Sequence, residues 1–131
     1  MKSNFDVCSS IKNCSETRSK KIDKLKDKKA KSKVCFTIKN DFSKSYKVIP
    51  FDDCVFQKVN NETEKCDYGI EIENKVYFIE LKGSDNNKAL KQILKTIENT
   101  KDCFKDYIYF ARIVTSHKQK PENLDKITLK K

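Results

Sequence analysis

Cys66-Asp67-Tyr68-Gly69-Ile70-Glu71-Ile72-Glu73-Asn74-Lys75-Val76-Tyr77-Phe78-Ile79-Glu80-Leu81-Lys82 is the stretch that decides the fold. Its first half alternates. Cys66, Tyr68, Ile70 and Ile72 fall on one side, and Asp67, Gly69, Glu71 and Glu73 on the other, the period-two pattern of a half-buried strand. Glu73-Asn74-Lys75 reads as a tight turn. Val76 to Lys82 is apolar almost throughout and predicts a strand buried on both faces. The two form a hairpin, which Gly83 closes.

Working outward, Ser84 or Asp85 caps a helix. Ala89, Leu90, Ile93, Leu94 and Ile97 recur at helical spacing on one face, with Lys88, Lys91 and Lys95 on the other. This helix is expected to end between Thr100 and Phe104. Tyr107 to Thr115 is a further strand. Upstream, Val34 to Ile38, Tyr46 to Ile49 (ended by Pro50) and Cys54 to Val59 read as short strands. Residues 1–33 are the most polar third. Ser15-Glu16 is expected to start a weak helix with Ile22 and Leu25 as its thin apolar stripe, and the lysine-rich block Lys20 to Lys33 as its solvated face or a basic arm. Residues 34–116 then form the core and 117–131 a basic tail of one domain. The expected class is α/β (α+β), a mixed central sheet covered by helices.

A chain of 131 residues holds one domain with a modest core. Basic residues outnumber acidic ones 29 to 19, for a net charge of +10. Such a surface attracts polyanions, nucleic acid first among them. Of the basic residues 27 are Lys and two are Arg, which favours phosphate contact over base readout. Lys together with ten Asn also fits an AT-rich genome. No apolar run is long enough to span a bilayer, and the N-terminus lacks the run of a secretory signal. The expectation is a cytoplasmic chain with no membrane partner. Cysteines stand at 8, 14, 35, 54, 66 and 103, without a Cys-x-x-Cys pair, and the only histidine is His117. This spacing argues against zinc, and all six are expected to be reduced thiols, several of them in the core.

A charge in a buried strand costs free energy, so Glu80 and Lys82 ask for a reason. They are two apart and share a face, and the hairpin folds Asp67 back beside Glu80. Acid-x-Lys also occurs at Asp27-x-Lys29 and Glu73-x-Lys75, but only Glu80-x-Lys82 ends a buried strand with an acid across from it. Close carboxylates favour a cation between them. Mg²⁺ takes few carboxylates and keeps several waters, and the Leu81 backbone carbonyl is a further oxygen donor. A water on such a metal is activated for attack, with Lys82 placed to orient it or to stabilise charge on a phosphate. The opposing interpretation is a structural Glu80–Lys82 salt bridge.

Asp67, then twelve residues, then Glu80-Leu81-Lys82, on a hairpin followed by a helix, resembles the PD-(D/E)XK nuclease superfamily, and the segment Cys66 to Ser116 resembles its small stand-alone bacterial members. The resemblance implies a restriction-endonuclease-like core of order α-β-β-β-α-β. It implies Mg²⁺, with Mn²⁺ able to substitute, on Asp67 and Glu80, and Lys82 as the catalytic lysine. It also suggests Glu16 as an extra metal ligand on the first helix and Gln92 as a residue of the helix after the lysine. On a helical wheel Gln92 lies opposite the apolar face, toward solvent or substrate. Cys66 stands where the family name has Pro. Lys88, Lys91, Gln92 and Lys95 are the candidate nucleic-acid contacts. The implied function is a metal-dependent endonuclease acting on DNA rather than RNA, as a homodimer, with a partner subunit as one source of specificity. The alternative is an inert nuclease-like module that binds nucleic acid or a protein.

Overall fold

The computed structural model describes residues 6–26, 34–57, 65–81, 86–114 and 121–124. Within them the chain is a mixed α+β structure in three layers. A five-stranded sheet lies in the middle, in the order β1 (Glu16–Arg18), β4 (Tyr46–Ile49), β5 (Tyr68–Ile72), β6 (Lys75–Leu81), β7 (Ile108–Val114). Neighbours are antiparallel except β6 and β7, which are parallel. A parallel pair needs a crossover connection, and α2 (Asn86–Thr100) supplies it. A second sheet, β2 (Ile22–Lys26), β3 (Cys35–Lys39) and β8 (Glu122–Asn123), covers one face. α1 (Val7–Cys14) and α2 lie on the other. Helices therefore cover only one face of the central sheet, not both.

Alternation along the central strands feeds two cores. Ile70, Ile72, Tyr77, Ile79 and Leu81 pack toward β2 and β3 with Leu25, Phe36 and Ile38. Val76 and Phe78 pack toward the helices with Ile11, Ile93, Phe51 and Phe104. β6 is buried along its whole length, as the apolar run from Val76 predicts, but it begins one residue earlier, at a buried Lys75 expected in the turn. The hairpin turn is a two-residue loop, Glu73-Asn74, with Glu73 at φ 54°.

The N-terminal third departs most from expectation. The helix lies upstream of Ser15, over Val7–Cys14, where the Asp6 carboxylate accepts from the N–H of Cys8 and Ser9 as an N-cap. Glu16–Arg18 and Ile22–Lys26 are strands. The supposed helical stripe breaks because strand alternation sends Leu25 inward and Ile22 outward, 67% exposed. Asp23 turns inward instead. Residues 27–33 of the lysine block lie outside the described residues.

Two further corrections follow from packing. Cys54 and Val55, expected to open the strand Cys54 to Val59, belong to a π-helical turn, Phe51–Val55, and residues 58 and 59 lie outside the described residues. Phe51 stacks on Phe78, with ring centroids 5.6 Å apart, and lies against Gly69. A Cβ added at Gly69 would stand 2.5 Å from Cε2 of Phe51. Gly69→Ala is therefore expected to destabilise the chain by about 1–3 kcal/mol through overpacking, measured by urea unfolding. In the C-terminal segment Leu124 is fully buried against the inter-sheet core, an anchor that the basic composition there concealed; residues 125–131 lie outside the described residues.

The cysteines depart from expectation as well. Cys8 is bonded to Cys103 and Cys14 to Cys54. Cys35 and Cys66 carry free thiols. Partners 95 and 40 residues apart show no spacing signal in the sequence. They meet because α1 packs between the π-helical turn and the short 3₁₀ turn Lys101–Cys103. Among the described residues no helix is long and apolar enough to cross a membrane.

Candidate active site at the end of the central hairpin

β5 and β6 pair with Tyr68 opposite Ile79. Continuing that register by one residue sets Asp67 opposite Glu80, the two neighbours expected of the hairpin. Both acids are buried, Asp67 at 8% exposure and Glu80 at 0%. Each carboxylate grips the other strand's backbone. Asp67 Oδ2 accepts from the N–H of Leu81 at 2.7 Å, and Glu80 Oε1 accepts from the N–H of Asp67 at 3.1 Å. Where the regular ladder ends, these two side chains replace it and receive N–H groups that burial would otherwise leave costly. One oxygen of each carboxylate is thus oriented by a backbone dipole.

The pair stands at the ends of two interior strands, not on a sheet edge. Leu81 pairs with Val114, so this is also the carboxyl end of the parallel β6–β7 pair. In α/β sheets, ligands bind at that end, where connections leave the sheet. Lys82 and the helix-capping candidates Ser84 and Asp85 lie outside the described residues.

Three consecutive residues, Lys65, Cys66 and Asp67 itself, are held from other elements. Cys66 N–H donates to Thr96 Oγ1 of α2 at 2.8 Å. The Lys65 carbonyl accepts from Gln92 Nε2 at 3.3 Å. The Asp67 carbonyl receives the Asp52 N–H of the π-helical turn at 3.5 Å. Asp52 also pairs with Lys65, Nζ to Oδ1 at 3.9 Å. Burial raises the Cys66 thiol's pKa, and the charges of Glu80 and Asp67 add to the shift, so this cysteine stays protonated at neutral pH.

The other candidates divide clearly. Glu16 is an exposed residue of β1, ion-paired to Arg18 at 2.5 Å and opposite Val48 of β4, with β4 and β5 separating it from β6. It is not beside Asp67 and Glu80, because its segment is a strand and not the expected helix. Gln92 turns inward, contrary to the helical-wheel reading. The buried face of α2 runs through Ala89, Ile93, Thr96 and Thr100, while Leu90 and Leu94 are 44% and 55% exposed. Two buried threonines, which hydropathy does not count, rotate the inner face away from the leucines. Lys88, Lys91 and Lys95 are exposed on α2 as expected, and Lys95 pairs with Glu98 at 3.5 Å.

The donor set meets the requirements of a hard divalent cation such as Mg²⁺, which binds through one or two carboxylates and retains water. Two neighbouring acids held in place by backbone N–H groups are such a set. Among the described residues no group of three or more His, Cys, Asp or Glu that could hold a metal ion comes together. No family model, no curated protein and no solved structure matches the chain.

Proposed function

We propose that this chain is a metal-dependent endonuclease of the PD-(D/E)XK kind. The observation that carries the reading is the reciprocal clasp of Asp67 and Glu80. Two acidic side chains are buried opposite each other at the end of the central hairpin, each aimed by a backbone N–H of the other's strand. With β1, β2 and β3 standing as extra strands between α1 and β4, the succession α1, β4, β5, β6, α2, β7, with β7 parallel to β6, is compatible with the α-β-β-β-α-β core that the resemblance implies.

In this reading Asp67, Glu80 and the Leu81 carbonyl hold Mg²⁺, or Mn²⁺ in its place. The bound metal supplies an activated water and neutralises charge on the scissile phosphate. The chain's own residues do the rest. Asp67 and Glu80 keep their mutual orientation through the two backbone bonds. Lys82, two residues beyond Glu80, orients the attacking water and stabilises negative charge on the phosphate. Lys88, Lys91 and Lys95 offer cations on α2 for backbone phosphates, which suits a chain of net charge +10. DNA is the expected substrate, cut by a homodimer.

The test is cleavage of supercoiled plasmid, linear duplex, single-stranded DNA and RNA with Mg²⁺ or Mn²⁺. Asp67→Asn, Glu80→Gln and Lys82→Ala are each expected to lower the rate about 10²–10³-fold or more while remaining folded. A saturating divalent cation is expected to raise the melting temperature of wild type and not of Glu80→Gln. Wild type that neither cuts nor gains stability with either metal overturns the reading and leaves the clasp as a structural device.

A further inference from the structure

Thr96 is fully buried, yet it is a polar residue in the middle of the inner face of α2. Its hydroxyl is used in both directions. It donates to the Gln92 carbonyl one turn back at 2.7 Å and accepts from Cys66 N–H at 2.8 Å. The second bond spans 30 residues of sequence and reaches the residue directly before Asp67. One turn earlier on the same helix, Gln92 holds the carbonyl of Lys65. Thus α2 grips the two consecutive residues that lead into the carboxylate pair. They precede the first residue of β5, so ladder bonds do not hold them.

From Cys66 the connection is direct. The next N–H, that of Asp67, carries the Glu80 carboxylate, and the Asp67 carboxylate carries the N–H of Leu81. A shift of the Cys66 peptide therefore moves both acids at once. We infer that Thr96 is a positioning residue. Its hydroxyl sets the separation and orientation of Asp67 and Glu80 for a divalent cation, and so couples the seating of α2, with its row of exposed lysines, to the metal site. The inference rests on the reading of Asp67 and Glu80 as metal ligands. It assigns a role to a residue that touches neither metal nor substrate. Partners bonded directly to metal ligands commonly change metal affinity about 10–100-fold when lost; Thr96 acts one peptide further out, through Cys66, and the low end of that range is expected.

The experiment is a Mn²⁺ titration by electron paramagnetic resonance, without nucleic acid. It compares wild type, Glu80→Gln, Thr96→Val and Thr96→Ser, all checked as folded by circular dichroism. Valine keeps the shape and removes the hydroxyl; Thr96→Ala is the second hydroxyl-free variant should valine prevent folding. Thr96→Val is expected to weaken Mn²⁺ binding about 10-fold or more, with Thr96→Ser within about 2-fold of wild type. Amide exchange of Cys66 and Asp67 in the metal-free protein is expected to speed up in Thr96→Val and not in Thr96→Ser. In cleavage, the loss is expected in kcat at saturating metal, with KM for nucleic acid unchanged. Equal Mn²⁺ affinity in wild type and Thr96→Val overturns the inference and leaves the nuclease reading standing, and so does a serine variant as weak as the valine. Wild type that binds Mn²⁺ no better than Glu80→Gln overturns both.

Discussion

Reduction of both disulfides is expected to lower the melting temperature by about 20 °C, at roughly 3–4 °C per kcal/mol for a chain of this length. Cys8–Cys103 and Cys14–Cys54 close loops with separations of 95 and 40 residues. Chain-entropy arguments assign about 4 kcal/mol to each loop of such size. The second lies inside the first, so their joint effect is less than the sum, about 6 kcal/mol. That is a large part of the roughly 5–15 kcal/mol that keeps a domain folded. The loss is local in structure: α1 is released from both the π-helical turn and the 3₁₀ turn, and Ile11 leaves the helix-side core. Scanning calorimetry with and without a phosphine reductant measures the shift. Replacing Cys14 and Cys54 together by Ser, and separately Cys8 and Cys103, divides it between the bonds. Thiol titration of denatured, unreduced protein is expected to count two thiols, Cys35 and Cys66. Six thiols, or an unchanged melting temperature under reductant, would refute the pairing. Structural disulfides persist in oxidising surroundings and are rare in a reducing cytosol. The same count on protein taken directly from its source therefore tests the cytoplasmic expectation drawn from the N-terminal sequence.

Asp23→Ala is expected to cost about 3 kcal/mol. Asp23 is 5% exposed on the inner face of β2 and ties the two sheets together. Its carboxylate receives Arg18 Nη1, the Tyr46 hydroxyl and the N–H of Lys24, each at 2.8 Å. Removing it leaves the Tyr46 O–H without the acceptor of its proton, on a side chain only 1% exposed. Arg18 keeps access to water, which holds the cost below that of a fully buried pair. Burial pushes the Asp23 pKa upward, but the bonds from Arg18 and Tyr46 and the Arg18 charge outweigh it, and the net shift is downward. A depressed folded value means the group stabilises the fold fully above its unfolded pKa, about 3.9. That contribution is lost as pH falls through the lower folded value. Urea midpoints from pH 7 to pH 2 are expected to converge between wild type and Asp23→Ala at the acid end. Parallel curves would exclude the carboxylate as the agent. Tyr46→Phe, at about 1 kcal/mol, closes a double-mutant cycle that isolates the bond.

The central hairpin was legible because local chemistry and tertiary environment agree there. β6 is apolar enough to lie inside any fold, and the hairpin before it brings Asp67 beside Glu80; the exact register, with Lys75 in the strand and Glu73-Asn74 as the turn, came from the structure. Strand β4 before Pro50, the crossover helix and strand β7 were legible for the same reason: their periodicity is long or their ends are punctuated. The N-terminal third was not. Ile22 and Leu25 fit a helical stripe as well as a strand, and only pairing with β3 chooses between them. Val55 and Phe56 fit a strand until Pro50 and the stacking of Phe51 curl them into a turn.

At the site, the two carboxylates were readable because charge in a buried strand stands out against its neighbours. The residues that hold them were not. Thr96 and Gln92 look like ordinary helix-surface residues, and hydropathy gave the inner face of α2 to Leu90 and Leu94. That face was decided by hydrogen bonds to Cys66 and Lys65, which exist only once the helix lies against the strand. The disulfides share this property, since their partners are distant in sequence and meet only when α1 docks. Sequence by itself therefore determined the hairpin and the nearness of its two acids, both products of short-range periodicity. Tertiary structure decided the layer that covers each face, the pairing of the cysteines and the clamp behind Asp67, because each depends on contacts between segments that carry no mutual signal along the chain.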